Sequence, residues 1–586
     1  MSALGSIFNI ASSALSAHKY DIQVTSNNIA NVDTPGYTRQ TALLQASSPE
    51  KSNNLIMGRG VEIDSVTSAS DRFIEGRLQD QKTSLSFYQE QNTYVENIEQ
   101  IFSPNSDSDV SSLLSSFWNS WQEVSNNPSG TSERIVLSDN SALLSETFNQ
   151  LDSEMGSLVK DLNGSLDIGL EKVNGLTRDI ADLNQEILKA EAGGGSAHTL
   201  RDIRNAKVGE VAEYMNISSF ESEQGALTIM AGNGIDLVRG NSSFNLEMDD
   251  GGRILISGSG SQQWDITENT DSGKIGGWLD MRDDLIPGYQ KDLDAVSNAL
   301  IWQVNSQHSQ GAGLENFEGV SGTYAVTDAT LSPLSSEGSG LSYWDKIITD
   351  DPNGGTVGFK LWVNDGTGSE PSLMSPILID GGTTLDSLAE DINNVTGISS
   401  RVTDENSLEI TVDADSEYTF AFSDDTSNVL AALGINTFFT GDSADNMGIN
   451  DTVQSGGAFI AAGFVDDVTG ERALGDNTNA MAMAELQFTS MTMGDEDGTV
   501  GILNTTAENY YSTLLGSMGT TAAGISMNKE TGEEMVQQLT DMRDSFSAVS
   551  LDEEMVNLMT SQSAYAAAAK LITTADEMLN TLLNMK

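Results

Sequence analysis

The most regular hydrophobic spacing in the chain lies at its two ends. Between residues 550 and 586, Leu551, Met555, Leu558, Gln562, Tyr565, Ala569, Ile572, Asp576, Leu579 and Leu583 follow alternating steps of four and three, a heptad seam whose polar members are Gln562 and Asp576. Near the start, Leu4, Phe8, Ala11, Leu15, His18, Ile22, Thr25 and Ile29 step in the same way. Both stretches are predicted to be helices with narrow stripes that pair as a coiled coil, a pattern that forms no pocket. Burying one large apolar side chain contributes roughly 1.5 to 3 kcal/mol, whereas ordering one residue costs about 1.5 kcal/mol. With only Leu4, Phe8, Leu15, Ile22 and Ile29 as large members of the first stripe, the isolated pair is expected to be marginal and to gain order from neighbouring copies. A subunit of an assembly is the first functional expectation.

The first helix should stop near Asn31, because Thr34 precedes Pro35 and is pushed out of the helical region, and Pro35-Gly36 suits the centre of a type II turn. Asn27, Asn28 and Asn31 either bond across to a neighbouring chain or form a polar helix end, and physics alone slightly favours the latter. Helical periodicity then dominates from 73 to 200. Leu85, Tyr88, Val95, Ile98 and Phe102 mark one helix; Leu113, Leu114, Phe117, Trp118, Trp121 and Val124 mark another after a break at Ser103-Pro104. A longer run takes in Leu143, Phe148, Leu151, Met155, Leu158 and Leu162 and continues to Ile187, with Gly193-Gly194-Gly195 ending it. The aromatic stripe of Phe117, Trp118 and Trp121 is read as core.

Beyond Asn216 the pattern shifts to short alternating segments between glycine-rich turns, a small β unit; helical spacing returns from Trp278 to His308. Residues 311–475 are rich in Gly, Ser, Asp and Thr with strand-like pieces such as Leu408-Glu409-Ile410-Thr411-Val412, and are expected to form one or two all-β modules. From Asn479 the pattern is helical again, and Ser550 with Glu553 makes a capping box for the last helix. The predicted fold class is multidomain α+β: paired terminal coiled-coil helices, an elongated helical bundle and inserted all-β outer domains. The expected division is 1–34 with 550–586 as the terminal domain, 35–215, 276–312 and 476–549 as the bundle, 216–275 as the small β unit, and 313–475 as the outer β region.

Composition narrows the function. The net charge is −58, which repels phosphate backbones and anionic lipid, so neither nucleic acid nor a membrane surface is an expected partner. No run of eighteen apolar residues occurs, and the N-terminus lacks the pattern of a cleavable signal peptide, so any export is expected to use another route. With no cysteine, disulfides and thiolate chemistry are excluded, which suits passage through a narrow channel in an unfolded state.

The chain shows little recognisable catalytic or ligand-binding chemistry. His18, His198 and His308 show no metal-site spacing, Asp495-Glu496-Asp497-Gly498 and Asp350-Asp351-Pro352-Asn353-Gly354 do not complete a calcium loop, and no Walker or dinucleotide motif occurs. No catalytic residue, cofactor or metal is expected. An envelope-acting hydrolase using paired carboxylates is the enzymatic alternative, but no Glu or Asp sits in an aromatic-lined apolar context. An adhesive role for the β region is compatible with assembly.

Residues 26–37, Ser-Asn-Asn-Ile-Ala-Asn-Val-Asp-Thr-Pro-Gly-Tyr, resemble the N-terminal signature of bacterial flagellar rod, hook and hook-associated proteins. With Arg39 following, Asn27, Asn28, Asn31, Pro35, Gly36 and Tyr37 form that axial signature, and the stretch looks more like the hook-associated members than the rod or hook subunits. Residues 278–283 (Trp-Leu-Asp-Met-Arg-Asp) and 475–482 (Gly-Asp-Asn-Thr-Asn-Ala-Met-Ala) resemble segments of the same members. Residues 554–579 are similar to the C-terminus shared across the superfamily, although Ser563 stands where many relatives carry a basic residue. The resemblance covers roughly the helical half of the chain and implies a non-enzymatic ring of subunits joining hook to filament. It implies as partners other copies of the chain, the hook protein, other hook-associated proteins, and an export chaperone covering the C-terminal helix at Leu551, Met555, Leu558, Tyr565, Ala569, Ile572, Leu579 and Leu583. It also places the protein outside the cell.

Overall fold

Thirteen α-helices among the described residues carry most of the chain: α1 (Ser2–Ala30), α2 (Arg72–Phe102), α3 (Val110–Asn126), α4 (Thr131–Glu191), α5 (His198–Tyr214), α6 (Gly273–Asp280), α7 (Ile286–His308), α8 (Leu385–Asn393), α9 (Val429–Ala432), α10 (Asp451–Gln454), α11 (Thr478–Glu485), α12 (Ala507–Ser547) and α13 (Leu551–Asn584). This computed structural model describes residues 2–584 apart from 35, 53–54, 103–108, 194, 233, 259–261, 353, 366–372, 414–416 and 467, with backbone alone at 2–4, 50–52, 55–56, 373 and 582. The sheets are small and antiparallel, so the fold is mixed α and β.

The chain forms two compact units, one of residues 1–94, 161–282 and 523–586, the other of 95–160 and 283–522. In the first, α1 packs against α13, and a hairpin pairing Gln40–Ala46 with Val61–Ser68 lies on α1. Gly60, at φ +101°, ends that hairpin's turn so close to α1 that a Cβ would collide with Ser13 Oγ and crowd the Ile10 backbone. A four-stranded sheet (217–221, 227–231, 236–239, 242–243) and a three-stranded one (246–248, 254–257, 263–265) complete this unit's β structure together with a short 50–52/55–57 ladder. The four-stranded sheet is fixed to α4 by Asn184, whose amide donates to Leu227 O at 2.8 Å and Gly240 O at 2.7 Å and accepts from Leu227 N at 3.0 Å. Buried Arg204 ties the same place to α5 through Asn184, Gly225 O and Glu221.

In the second unit Phe117, Trp118 and Trp121 of α3 are buried against Phe438, Phe439 and His308, so the aromatic stripe is core. Two three-stranded sheets have 358–364 between 373–378 and 419–423, and 408–412 between 319–321 and 398–402. Arg134 is buried among carbonyls, donating to Pro128, Gly457 and Ile460, and burial lowers its guanidinium to about 10.

The structure departs from the expected elements at several points. Region 313–475 is not all-β: it holds α8, opened by a capping box at Thr384 and Ser387, as well as α9 and α10. The long helix starts at Thr131, and Leu144 rather than Leu143 faces inward. Helix 273–308 is interrupted by a π turn, Met281–Leu285, so Pro287 falls in the first turn of a new segment where its missing N–H costs little. A strand pair, Met491–Met493 with Leu503–Thr505, divides the last helical stretch. The expected Ser103-Pro104 break and the middle glycine of the Gly193–195 cluster lie outside the described residues; α2 ends at Phe102 and α4 at Glu191.

Candidate assembly site

The axial signature folds into one hydrogen-bonded node. Asn28, on the last full turns of α1, is 1% exposed. Its amide nitrogen donates to Gln40 O at 2.8 Å and to Glu554 Oε2 at 3.0 Å, and its Oδ1 accepts from Tyr37 OH at 2.9 Å and Gln40 N at 3.0 Å. One side chain therefore joins the end of α1, the loop after it and the start of α13. The loop turns where the sequence required: Gly36 has φ +76°, and Tyr37 N donates to Thr34 O at 3.2 Å. Pro35 itself lies outside the described residues.

Around this hub, Thr38 binds Asp202 of α5 through its hydroxyl at 2.9 Å and its N–H at 3.3 Å. Arg39 Nη1 meets Glu553 at 3.0 Å, and Arg39 N donates to Ser547 O at 3.0 Å. The carboxylate expected in a capping box is thus engaged by Arg39. Burial, reinforced by the nearby Asp202 and Glu554 carboxylates and opposed by a hydrogen bond from Asn27, pushes the Tyr37 phenol up to about 12. It remains a donor to Asn28 throughout the neutral range. Burial likewise raises Asp202, against the hydrogen bonds from Thr38. Asn27 and Asn31 lie at the exposed edge of the hub: Asn27 Nδ2 donates to Tyr37 OH at 3.2 Å, and Asn31 Nδ2 donates back to Asn27 O at 2.9 Å. The polar helix-end reading fits those two and fails for Asn28, which is buried and bonded within its own chain.

Along the helices the contact is narrower and smaller than the heptad pattern suggested. On α13 the buried positions are Glu554, Ser561, Ala568 and Ala575, recurring every seven residues, with Leu558 and Ile572 half-buried between them. Leu558, Tyr565, Ile572 and Leu579 keep their predicted phase, although Tyr565 and Leu579 stay exposed; Ala569 is half-buried. Met555, Gln562, Asp576 and Leu583 are exposed, displaced from the seam by one residue, and Leu551 is exposed at the start of the helix. On α1, Ala11, Ala17, Val24, Thr25 and Asn28 are buried; Leu15, His18, Ile22 and Ile29 are half-buried, and Phe8 is exposed. The Leu4 side chain lies outside the described residues. The physical reason is close approach: small side chains let two backbones pack tightly, and a polar pair can replace a large apolar one when its hydrogen bonds are made. Asp21 accepts a short hydrogen bond from Ser561 Oγ, one heptad from the Asn28–Glu554 bond on both helices, so the pair runs antiparallel. His18 Nδ1 is buried without a hydrogen-bond partner among the described residues.

The missed residues, Glu554, Ser561, Ala568, Ala575, Asp21 and Asp202, carry no apolar signal. Only the strict seven-residue recurrence in α13 and the matching spacing of Asp21 and Asn28 could have revealed the seam. At the far end of the pair, Gly5, Phe8, Asn9, Ala575, Asp576 and Leu579 line a groove of about 300 Å³.

Comparison with known proteins places these features in a context. Residues 8–38 match the family described as flagella basal body rod protein, and 543–585 match the flagellar basal body rod FlgEFG protein C-terminal family. These two matches bracket the α1–α13 pair and its node. Between them, residues 95–322 match the flagellar hook-associated protein FlgK helical domain. The chain is 25% identical over 590 residues to flagellar hook-associated protein 1 of Bacillus subtilis, covering 97% of this chain and 96% of that protein. It is 24% identical over 605 residues to the protein of the same name from Escherichia coli, with both chains covered in full. Over its whole length the chain is similar to flagellar hook-associated protein 1. The likeness to these relatives therefore extends through 313–475, beyond the helical half that the motifs covered. In fold, the chain resembles the flagellar hook junction protein FlgK from Burkholderia pseudomallei, with a TM-score of 0.50 and 15% identity, covering 80% of this chain and 99% of that one. These relatives are structural parts of the flagellum and not enzymes, which removes the hydrolase reading.

Proposed function

We propose that this protein forms a ring of copies between hook and filament, assembled through α1 and α13. One observation carries the reading: the inner seam of α13 uses small side chains, while Leu551 (47% exposed), Met555, Val556, Met559 (56%), Leu571, Met578 and Leu583 remain uncovered in the single chain. A helix that holds its own partner by alanines and serines and turns its large apolar side chains outward is built to be covered by further copies. The node at Asn28 fixes the root of the pair, and the rest of α13 gains rigidity from neighbours. In this reading 1–34 with 550–586 is the assembly domain, 35–215, 276–312 and 476–549 the bundle, 216–275 a small β unit, and 313–475 an outer domain facing the environment. Partners are the hook protein below and other hook-associated proteins above. Before assembly the same outward face of α13 is the surface for an export chaperone, and the absence of cysteine suits export in an unfolded state.

Deletion of 551–586 tests it. The truncated chain should remain folded and soluble and fail to join flagella. Antibody to the protein should label a single band at the hook–filament boundary. Incorporation of the chain lacking 551–586 would refute the role of α13.

A further inference from the structure

The chain has 21 methionines and no cysteine, so its sulfur redox chemistry rests entirely on thioethers. Their placement is uneven. Met155, Met281 and Met483 are fully buried, as are Met215 and Met447 within 2%. Of the eight methionines exposed as large apolar side chains among the described residues, five (Met527, Met542, Met555, Met559 and Met578) fall in the last 64 residues of the chain. Met555 and Met559 stand one helical turn apart on α13, continuing the exposed position of Leu551. Met555, Met559 and Met578 are among the side chains that the assembly reading buries.

We infer that Met555 and Met559, with Met578 on the same helix, form a peroxide-sensitive modification site that gates assembly. This rests on the assembly role proposed for α13. The thioether sulfur attacks the terminal oxygen of hydrogen peroxide, the O–O bond breaks, and the departing hydroxide takes up the proton released by the transferred OH. The sulfur is oxidised to the sulfoxide and the peroxide is reduced to water. The product carries a strong S=O acceptor where an apolar contact had been. A neighbouring copy that covers it with alkyl groups leaves that oxygen without a donor, which disfavours docking. In the assembled ring the same sulfurs are shielded, so the gate acts on subunits still awaiting incorporation. The lesion is reversible by methionine sulfoxide reductase.

The test uses the full-length protein and isolated hooks from cells lacking it. Limited hydrogen peroxide treatment followed by peptide mapping should find sulfoxide at Met555, Met559 and Met578 before Met155, Met281 or Met483. Binding of the oxidised protein to hooks should fall at least tenfold and return after sulfoxide reductase treatment. A chain with leucine at the three positions, which preserves shape and apolarity, should bind hooks equally before and after peroxide. Uniform oxidation of exposed and buried methionines, full binding by the oxidised protein, or equal loss in the leucine variant overturns the inference while leaving the assembly reading standing. Hook binding by a chain lacking 551–586 overturns the assembly reading and the inference together.

Discussion

Asn28 concentrates more function into one side chain than any other residue of the node. Its replacement by alanine removes bonds to Gln40, Tyr37 and Glu554 at once and leaves the Glu554 carboxylate, 3% exposed, without that donor. The expected loss is roughly 1 to 3 kcal/mol, read as faster amide exchange at the end of α1 and the start of α13. Arg39→Ala, which breaks an ion pair whose Glu553 side is largely exposed, should cost less than about 1 kcal/mol; equal effects from the two changes would contradict the hub. His308 offers a separate pH test in the other unit. Its Nδ1 donates to Asn436 O at 2.8 Å and its Nε2 accepts from Ala461 N at 2.9 Å, an arrangement open only to the neutral ring. Burial lowers it to about 4 from an ordinary value of 6.5. A depressed folded-state value means that stability is fully present above 6.5 and is lost as pH falls towards 4, by about 3 kcal/mol in all. Peptides carrying Asn436 and Ala461 should lose exchange protection across that window once intrinsic rates are corrected; constant protection would refute it.

For the elements, the decisive contrast is between the inner and outer faces of α13. Ala568→Leu forces a large side chain into a seam where the alanine is 4% exposed, so it should destabilise the free chain by about 1 to 3 kcal/mol. Leu551→Ser with Met559→Ser should leave the melting temperature of the free chain within experimental error and abolish incorporation. If both variants shifted the melting temperature alike, the outer face would already be covered. The same contrast shows what the sequence could tell. Element type was readable wherever period and length were strong: both terminal helices, α3 and α4 stand where apolar spacing put them. The phase of the seam was not, because a hydrophobic count ranks Leu551 and Met555 above Glu554 and Ser561, whereas close helix packing prefers the smaller residues. The turn at Gly36 was legible because glycine adopts a positive φ cheaply. Asp202 was not, since its tie to Thr38 spans 164 positions and leaves no local trace.

At the scale of the whole molecule, a net charge of −58 disfavours phosphate backbones and anionic lipid as partners, and none of the described helices is long and apolar enough to cross a bilayer. Region 313–475 escaped the pattern because short strands and short helices there are set by turns and polar anchors. Asn305 and Asn436, for example, hold the 436–439 backbone and the end of α7 by amide bonds to main-chain groups. Such anchors are invisible to periodicity.

The two polar ties between α1 and α13, Asn28 to Glu554 and Asp21 to Ser561, sit one heptad apart on each helix. Between alanines, a slide of one heptad would bring similar surfaces together again, offset by about 10 Å. The ties act as a vernier that admits one stagger. In a closed ring of identical copies, a subunit set at the wrong notch would carry its misalignment to each neighbour that seats upon it.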